Sequence, residues 1–216
     1  MDWNVPNRLT VARIFLAAIF FVLLGVYSAD SLQGPCLLTW AFVIYIIAGI
    51  TDVLDGYLAR KWNQTSTFGR MVDPICDKVL VCGGFVMLAG QNFGMSGYTH
   101  LLSDTELGLP AWVTGNMGTA VQPWMAVVVL AREFIISGIR GYSESKGLQF
   151  PANQVGKMKM LTQSVAICVV MGVIAWWPES VFWAFVKISF VWLAVGVTAF
   201  SGFYYINAAR KLLRGS

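Results

Sequence analysis

The sequence predicts an all-α integral membrane protein: six transmembrane helices, a short N-terminal interfacial segment, and a site at the cytoplasmic end of the bundle. Three observations carry this. First, 57% of the 216 residues are hydrophobic, only 12% are charged and mean hydropathy is +0.65. A soluble chain of this length needs more charge to cover its surface. Second, six apolar stretches read as membrane helices. Third, the cations are segregated. No Lys or Arg lies between Arg13 and Arg60, and none between Lys78 and Arg132. With six spans, every Lys and Arg of the 15 except Lys187 falls on the side shared by the two termini. The positive-inside rule puts that side in the cytoplasm.

Taken in order, residues 1–8 are polar with one Trp and one Pro, and read as the interfacial segment. The apolar run after Asn7-Arg8 is interrupted at its start by Arg13, and no small-x-small cleavage site closes it. It is therefore expected to stay as the first span rather than be removed as a signal peptide. The six spans fall at about 10–27, 35–58, 74–89, 123–140, 155–177 and 180–205. Asn7 or Thr10 can cap the first. Pro74 suits a first helical position, which makes Asp73 the N-cap of the third. The polar stretch 61–68 reads as a turn and 141–154 as a connector. Residues 90–122, with Gly90, Gly94, Gly97, Gly108, Gly115 and Gly118, read as a long loop with a short helix around 101–107. A single membrane domain is expected over 1–213, with 214–216 as a basic tail or appended remnant.

Composition also excludes some chemistries. Cys36, Cys76, Cys82 and Cys168 form no CxxC, and His100 is the sole histidine. A thiolate zinc site or a Ser/His/Asp triad lacks the residues it needs, and the cysteines read as small apolar fillers.

Four carboxylates stand out between residues 52 and 77. Asp52 and Asp55 (i, i+3) share one helix face, and so do Asp73 and Asp77 (i, i+4). Two helices meeting at a turn aim all four at one point. Such a cluster repels itself unless cations sit in it, and oxygen-only ligands suit hard ions such as Mg2+ or Mn2+. Gly56 lets a ligand approach the backbone, Ala59 does the same a turn later, and Arg60 can pair with a carboxylate or a phosphate. Gly69, taken alone, is an ordinary turn glycine. A second group is basic. Arg132 and Arg140 lie eight apart on roughly one helix face, and Lys157 and Lys159 open the fifth span. These four cations suit either anionic lipid headgroups or a bound phosphate, with Glu133 orienting one of them. Arg13, one turn inside the first span, faces either the aspartates or a diphosphate.

The spacing Asp-x2-Asp-Gly-x2-Ala-Arg-x8-Gly-x3-Asp-x3-Asp, filled by Asp52, Asp55, Gly56, Ala59, Arg60, Gly69, Asp73 and Asp77, resembles the signature of the CDP-alcohol phosphotransferase family. Three further segments are similar to its phosphatidylglycerophosphate synthase branch. They are Asn4-x-Pro6-Asn7-x-Leu9-Thr10-x2-Arg13, then Ala131-Arg132-Glu133-x3-Ser137-Gly138-x-Arg140, then Gly156-Lys157-x-Lys159. The resemblance runs from about residue 4 to 213. Cys76 departs from a frequent Ala, Met160 from a frequent Thr, and the 90–122 loop is longer than usual.

The resemblance implies transfer of a phosphatidyl group from CDP-diacylglycerol to sn-glycerol 3-phosphate, giving phosphatidylglycerophosphate and CMP. It implies two divalent cations, Mg2+ or Mn2+, on Asp52, Asp55, Asp73 and Asp77, with Asp77 also the general base. It puts CDP-diacylglycerol on Gly56, Ala59, Arg60, Gly69, Asn7 and Thr10, and the acceptor phosphate on Arg132, Arg140, Lys157 and Lys159. It implies a homodimer in a bacterial inner membrane, with no nucleic-acid partner. Two alternatives stay open: another acceptor (inositol phosphate or phosphatidylglycerol), or, in a different class, a divalent-cation transporter.

Overall fold

Six long helices form a ring, and their order around it differs from their order in the chain. The computed structural model describes residues 5–28, 31–61, 67–93, 109–114, 118–146 and 154–214; for 5–8, 55–60, 67–74, 111, 144, 154–155, 157, 209 and 211–214 the description is of the backbone. Seven α-helices and no strand occur among the described residues: α1 (Val5–Val26), α2 (Gly34–Lys61), α3 (Thr67–Leu88), the short α4 (Ala111–Thr114), α5 (Pro123–Ser145), α6 (Gln154–Trp176) and α7 (Val181–Arg214). A 3-10 turn at Gln91–Phe93 follows α3.

Each helix presents a buried stripe at helical spacing. On α1 it is Ala17, Phe20 and Leu24; on α2 it is Leu38, Ala41, Tyr45 and Ala48; on α6 it is Ala166, Ile167, Val170 and Ile174. The outward faces are apolar too. Phe15, Val22, Phe134, Phe182 and Phe203 are all exposed. A chain apolar on both its inner and outer faces is built for lipid surroundings, and this protein is a multi-pass membrane protein.

Packing runs α1–α2–α6–α7–α5–α3 and back to α1, and α3 also packs on α6 across the middle. That cross-contact divides the ring into two four-helix halves. Small residues on α3 allow it. A Cβ on Gly84 would lie 3.0 Å from Ile167 Cδ1 of α6, and one on Gly83 would lie 2.5 Å from Phe21 Cζ of α1. At the end of the bundle where α7 begins, the 118–122 segment is pinned to its neighbours. Gly118 N donates to Phe93 O (3.0 Å) and Thr119 Oγ1 to Leu88 O (2.7 Å), and buried Lys187 donates to Gly118 O. Ala120 takes a left-handed backbone there (φ 60°), a conformation that costs a non-glycine residue about 1 kcal/mol or more.

Among the described residues, four helices are long and apolar enough to cross a membrane, over Leu9–Val26, Gly34–Leu54, Met158–Trp176 and Val181–Ala208. The other two long helices, α3 and α5, have 22 and 23 residues but carry Arg70, Asp73, Asp77 and Lys78, and Arg132, Glu133, Arg140 and Glu144. Some expected boundaries need correction. α1 begins at Val5, so Asn7 and Thr10 lie inside it rather than capping it. α3 begins at Thr67, so Asp73 is an interior residue rather than an N-cap. Residues 67–73 add about two turns ahead of Pro74, and the proline removes just one backbone bond, to the carbonyl four residues back. α5 continues to Ser145, which makes the first five residues of the expected connector helical, and α7 runs unbroken into the basic tail to Arg214. The helix expected around 101–107 lies outside the described residues, as does most of the turn after Lys61. Cys76 and Cys82 are buried fillers, whereas Cys36 is exposed.

Candidate active site

The buried stripes continue into the polar residues, and this brings the charges together. Arg13 stands four positions before Ala17 on the inner face of α1, one turn after buried Thr10, and is itself 1% exposed. Asp52 stands four positions after Ala48 on α2. Arg13 Nη1 lies 2.7 Å from Asp52 Oδ1 and 3.5 Å from Asp77 Oδ1 of α3. One buried guanidinium thus ties α1, α2 and α3 at one end of the ring. Both carboxylates keep a face toward open space, with side chains 30% and 28% exposed.

A second polar centre lies in the other half of the ring. Buried Glu133 of α5 accepts from Arg132 Nη1 (3.0 Å) and from Lys159 of α6. Arg132 Nε also donates to Ser201 Oγ of α7 (3.1 Å), and its guanidinium lies 5.5 Å from the Tyr205 ring centroid. Gly202 clears the path of this side chain, since a Cβ there would meet Arg132 Cγ at 3.2 Å. Lys78 of α3 donates to Ser137 Oγ (2.5 Å), which donates in turn to Glu133 O (2.6 Å).

Each half of the ring holds a cavity. The first, about 810 Å³, is walled by α1, α2, α3 and α6. Its lining is apolar along Tyr45, Ile46, Val53, Leu161 and Val169, with Arg13, Asp52 and Asp77 at one end. The second, about 350 Å³, is walled by α3, α5, α6 and α7, and Lys78, Arg132, Arg140 and Lys159 line it. Asp77, Val81 and Met160 belong to both walls. A carboxylate shared between an apolar cavity and a cationic one can face a lipid-borne group on one side and an anionic water-soluble molecule on the other.

A family model for CDP-alcohol phosphatidyltransferases matches residues 3–200. The chain belongs to that family. Curated relatives named CDP-diacylglycerol–glycerol-3-phosphate 3-phosphatidyltransferase match it end to end. The Rickettsia bellii (strain RML369-C) protein is 30% identical over 98% of each chain. The Bacillus subtilis (strain 168) protein is 29% identical over 99% of each, and the Shigella flexneri serotype 5b (strain 8401) protein 32% identical over 97% of each. This CDP-alcohol phosphatidyltransferase is accordingly an enzyme, a transferase of phospholipid biosynthesis.

Of the residues singled out in the sequence, the phosphatidyltransferase structure brings Asp52 and Asp77 together through Arg13, and brings Arg132, Arg140 and Lys159 to one cavity. Thr10 is buried one turn before Arg13. The side chains of Asp55, Asp73, Gly56, Ala59, Arg60, Gly69, Asn7 and Lys157 lie outside the described residues. Asp55 and Asp73 sit one turn from Asp52 and Asp77 on α2 and α3. Lys78, Gln163 and Tyr205 also line the cationic cavity. The signal that could have found Gln163 is spacing, since it follows Lys159 by four on the inner face of α6.

The donor set fits a hard divalent cation. Asp52 and Asp77 offer only oxygens, and the pair draws a cationic group between its two carboxylates. No group of three His, Cys, Asp or Glu gathers among the described residues, where just two of the four aspartate side chains are included.

The Glu133 centre sets a stability prediction. Glu133→Gln leaves Arg132 and Lys159 buried without their shared counter-charge, which costs about 3 kcal/mol. The unfolding midpoint in detergent is expected to fall clearly below wild type. An unchanged midpoint would mean that the two cations do not depend on it.

Proposed function

We propose that this enzyme transfers the phosphatidyl group of CDP-diacylglycerol to sn-glycerol 3-phosphate, releasing CMP and phosphatidylglycerophosphate. The observation that carries this reading is Asp77 in the wall of both cavities. The shared name of the relatives supports it. The apolar cavity suits the acyl-bearing donor, whose diphosphate then lies toward Arg13, Asp52 and Asp77. Gly56, Ala59, Arg60, Gly69, Asn7 and Thr10 are assigned to the nucleotide and diphosphate. The cationic cavity suits an acceptor with its own phosphate monoester, held by Arg132, Arg140, Lys157 and Lys159.

Asp52, Asp55, Asp73 and Asp77 are the residues that would hold two Mg2+ or Mn2+ ions, which supply charge neutralisation for the diphosphate and for departing CMP. Asp77 takes the proton of the acceptor hydroxyl. The freed oxygen attacks the β-phosphorus in line. One P–O bond forms as the bond to CMP breaks, and no covalent enzyme intermediate is needed. Arg132, fixed by Glu133 and Ser201, cannot swing away from the acceptor, so the reacting oxygen stays oriented.

We also infer that α3 and α5 span the bilayer with the other four long helices, since 22 or 23 residues reach about 33 Å. Of their described charged side chains, Asp77, Lys78, Arg132, Glu133 and Arg140 line the cationic cavity. The termini and the site then face the cytoplasm by the cation bias, in an inner membrane, and the apolar outer faces leave room for a homodimer.

The reaction is tested by CMP release from CDP-diacylglycerol in detergent, with Mg2+ or Mn2+ present or chelated, and with glycerol 3-phosphate, inositol phosphate or phosphatidylglycerol as acceptor. Metal-dependent release with glycerol 3-phosphate alone is expected. Release with another acceptor would overturn the reading of the cationic cavity, and release with none would overturn the reaction. Asp77→Asn is expected to lower turnover by at least ~100-fold while CDP-diacylglycerol binding persists; wild-type turnover would remove Asp77 as the base. Arg140→Ala is expected to raise the KM for glycerol 3-phosphate by about 10-fold or more and to leave that for CDP-diacylglycerol nearly unchanged. Equal rises in both would take Arg140 out of the acceptor site.

A further inference from the structure

One polar group in the cationic cavity has no role in holding a phosphate. Gln163 of α6 is fully buried and lines this cavity. Its Nε2 donates to Thr198 Oγ1 of α7 (2.7 Å). Thr198 Oγ1 in turn donates to Ala194 O (2.6 Å). The hydroxyl proton of Thr198 is thereby committed to the α7 backbone, so toward Gln163 this oxygen can only accept. The amide is fixed in one orientation, nitrogen to Thr198 and oxygen the other way. Gln163 Oε1 has no hydrogen-bond partner among the described residues. A buried amide oxygen left without a donor is unfavourable and uncommon in native proteins, and it calls for an explanation.

What Oε1 lacks is a donor, and a phosphate offers none. A hydroxyl does. The cavity that Gln163 lines also contains the cations for an acidic headgroup and the carboxylate proposed as base. We infer that Gln163 is a specificity-determining residue that accepts a hydrogen bond from the second hydroxyl of the acceptor alcohol, the one that does not attack phosphorus. This rests on the acceptor reading above. The ligand class it selects is a phosphorylated polyol with a hydroxyl next to the reacting carbon. A phosphorylated monoalcohol would leave the amide oxygen unsatisfied in the complex. Sites built to hydrogen-bond a hydroxyl reject analogues lacking it far better than apolar pockets reject a methylene.

The preorganisation comes from α7. The same helix that holds the Gln163 amide through Thr198 holds Arg132 through Ser201, and Ser201 Oγ donates to Thr198 O (2.8 Å). The cationic anchor and the hydroxyl acceptor are thus set on one turn of one helix. Their separation is fixed by backbone rather than by flexible side chains.

The test compares sn-glycerol 3-phosphate with 3-hydroxypropyl phosphate, which keeps the reacting hydroxyl and the phosphate and lacks the middle hydroxyl. Wild-type enzyme is expected to lose roughly 10- to 100-fold in kcat/KM with the deoxy acceptor. Gln163→Met, close to isosteric and without an acceptor oxygen, is expected to lose that much with glycerol 3-phosphate and little with the deoxy acceptor, so that the two substrates become nearly equal. Equal use of both acceptors by wild-type enzyme overturns the assignment without any variant. An equal loss with both in Gln163→Met makes the residue merely structural and overturns it as well. Wild-type turnover with neither acceptor sinks the acceptor reading itself, and this inference with it.

Discussion

The packing of α3 on α6 is the constraint on which the rest of the site depends. Without it the six long helices would enclose one chamber; with it they enclose two, one apolar and one cationic. The contact demands close approach. Gly84 supplies it against Ile167, in the way that small residues commonly let membrane helices meet. Asp77, Val81 and Met160 then become the partition. Only one of these three can do chemistry, and it sits where both contents can reach it.

The two polar centres are built from triads of unequal charge. Among the described side chains, Arg13 faces two carboxylates and Glu133 faces two cations. Each triad buries its central charge with partners on both sides, which keeps desolvation tolerable. Counted over these described side chains alone, each also leaves an excess of charge: negative at the mouth of the apolar cavity, positive in the other. Balanced pairs would hold the helices as well but would attract nothing. The imbalance is what makes the first centre suit a cation and the second an anion.

Much of this was legible in the sequence, because the residues that matter follow the helical period. Asp52 and Asp77 meet at Arg13, and Arg132 and Arg140 reach one cavity as their spacing requires. The division into two chambers was not legible, since nothing in a linear pattern says that α6 rather than α3 flanks α2. Helix starts were misread for a local reason. Pro74 and Thr10 carry the preferences of helix beginnings, but each sits within a longer helix whose tertiary contacts outweigh those preferences. The span count was harder for a related reason. α3 and α5 carry many of the charges of the chain, and those charges dilute their apolar character. Gln163 and Thr198 escaped notice because neither is charged; their importance lies in which lone pair is left over once neighbouring groups are paired.

The two-chamber plan has a kinetic consequence under the proposed reaction. The donor is delivered by lateral diffusion within a sheet, and its effective concentration is a mole fraction in the lipid. The acceptor arrives through water, and its concentration is counted per volume. Because the chambers share Asp77, Val81 and Met160 in their described walls, neither reactant needs to leave its own phase, and the new lipid can return along the donor's path. Adding inert lipid or detergent then dilutes one substrate and leaves the other untouched. The enzyme works as a surface catalyst toward the lipid and as an ordinary solution catalyst toward the alcohol, with the boundary between the two regimes one side chain thick.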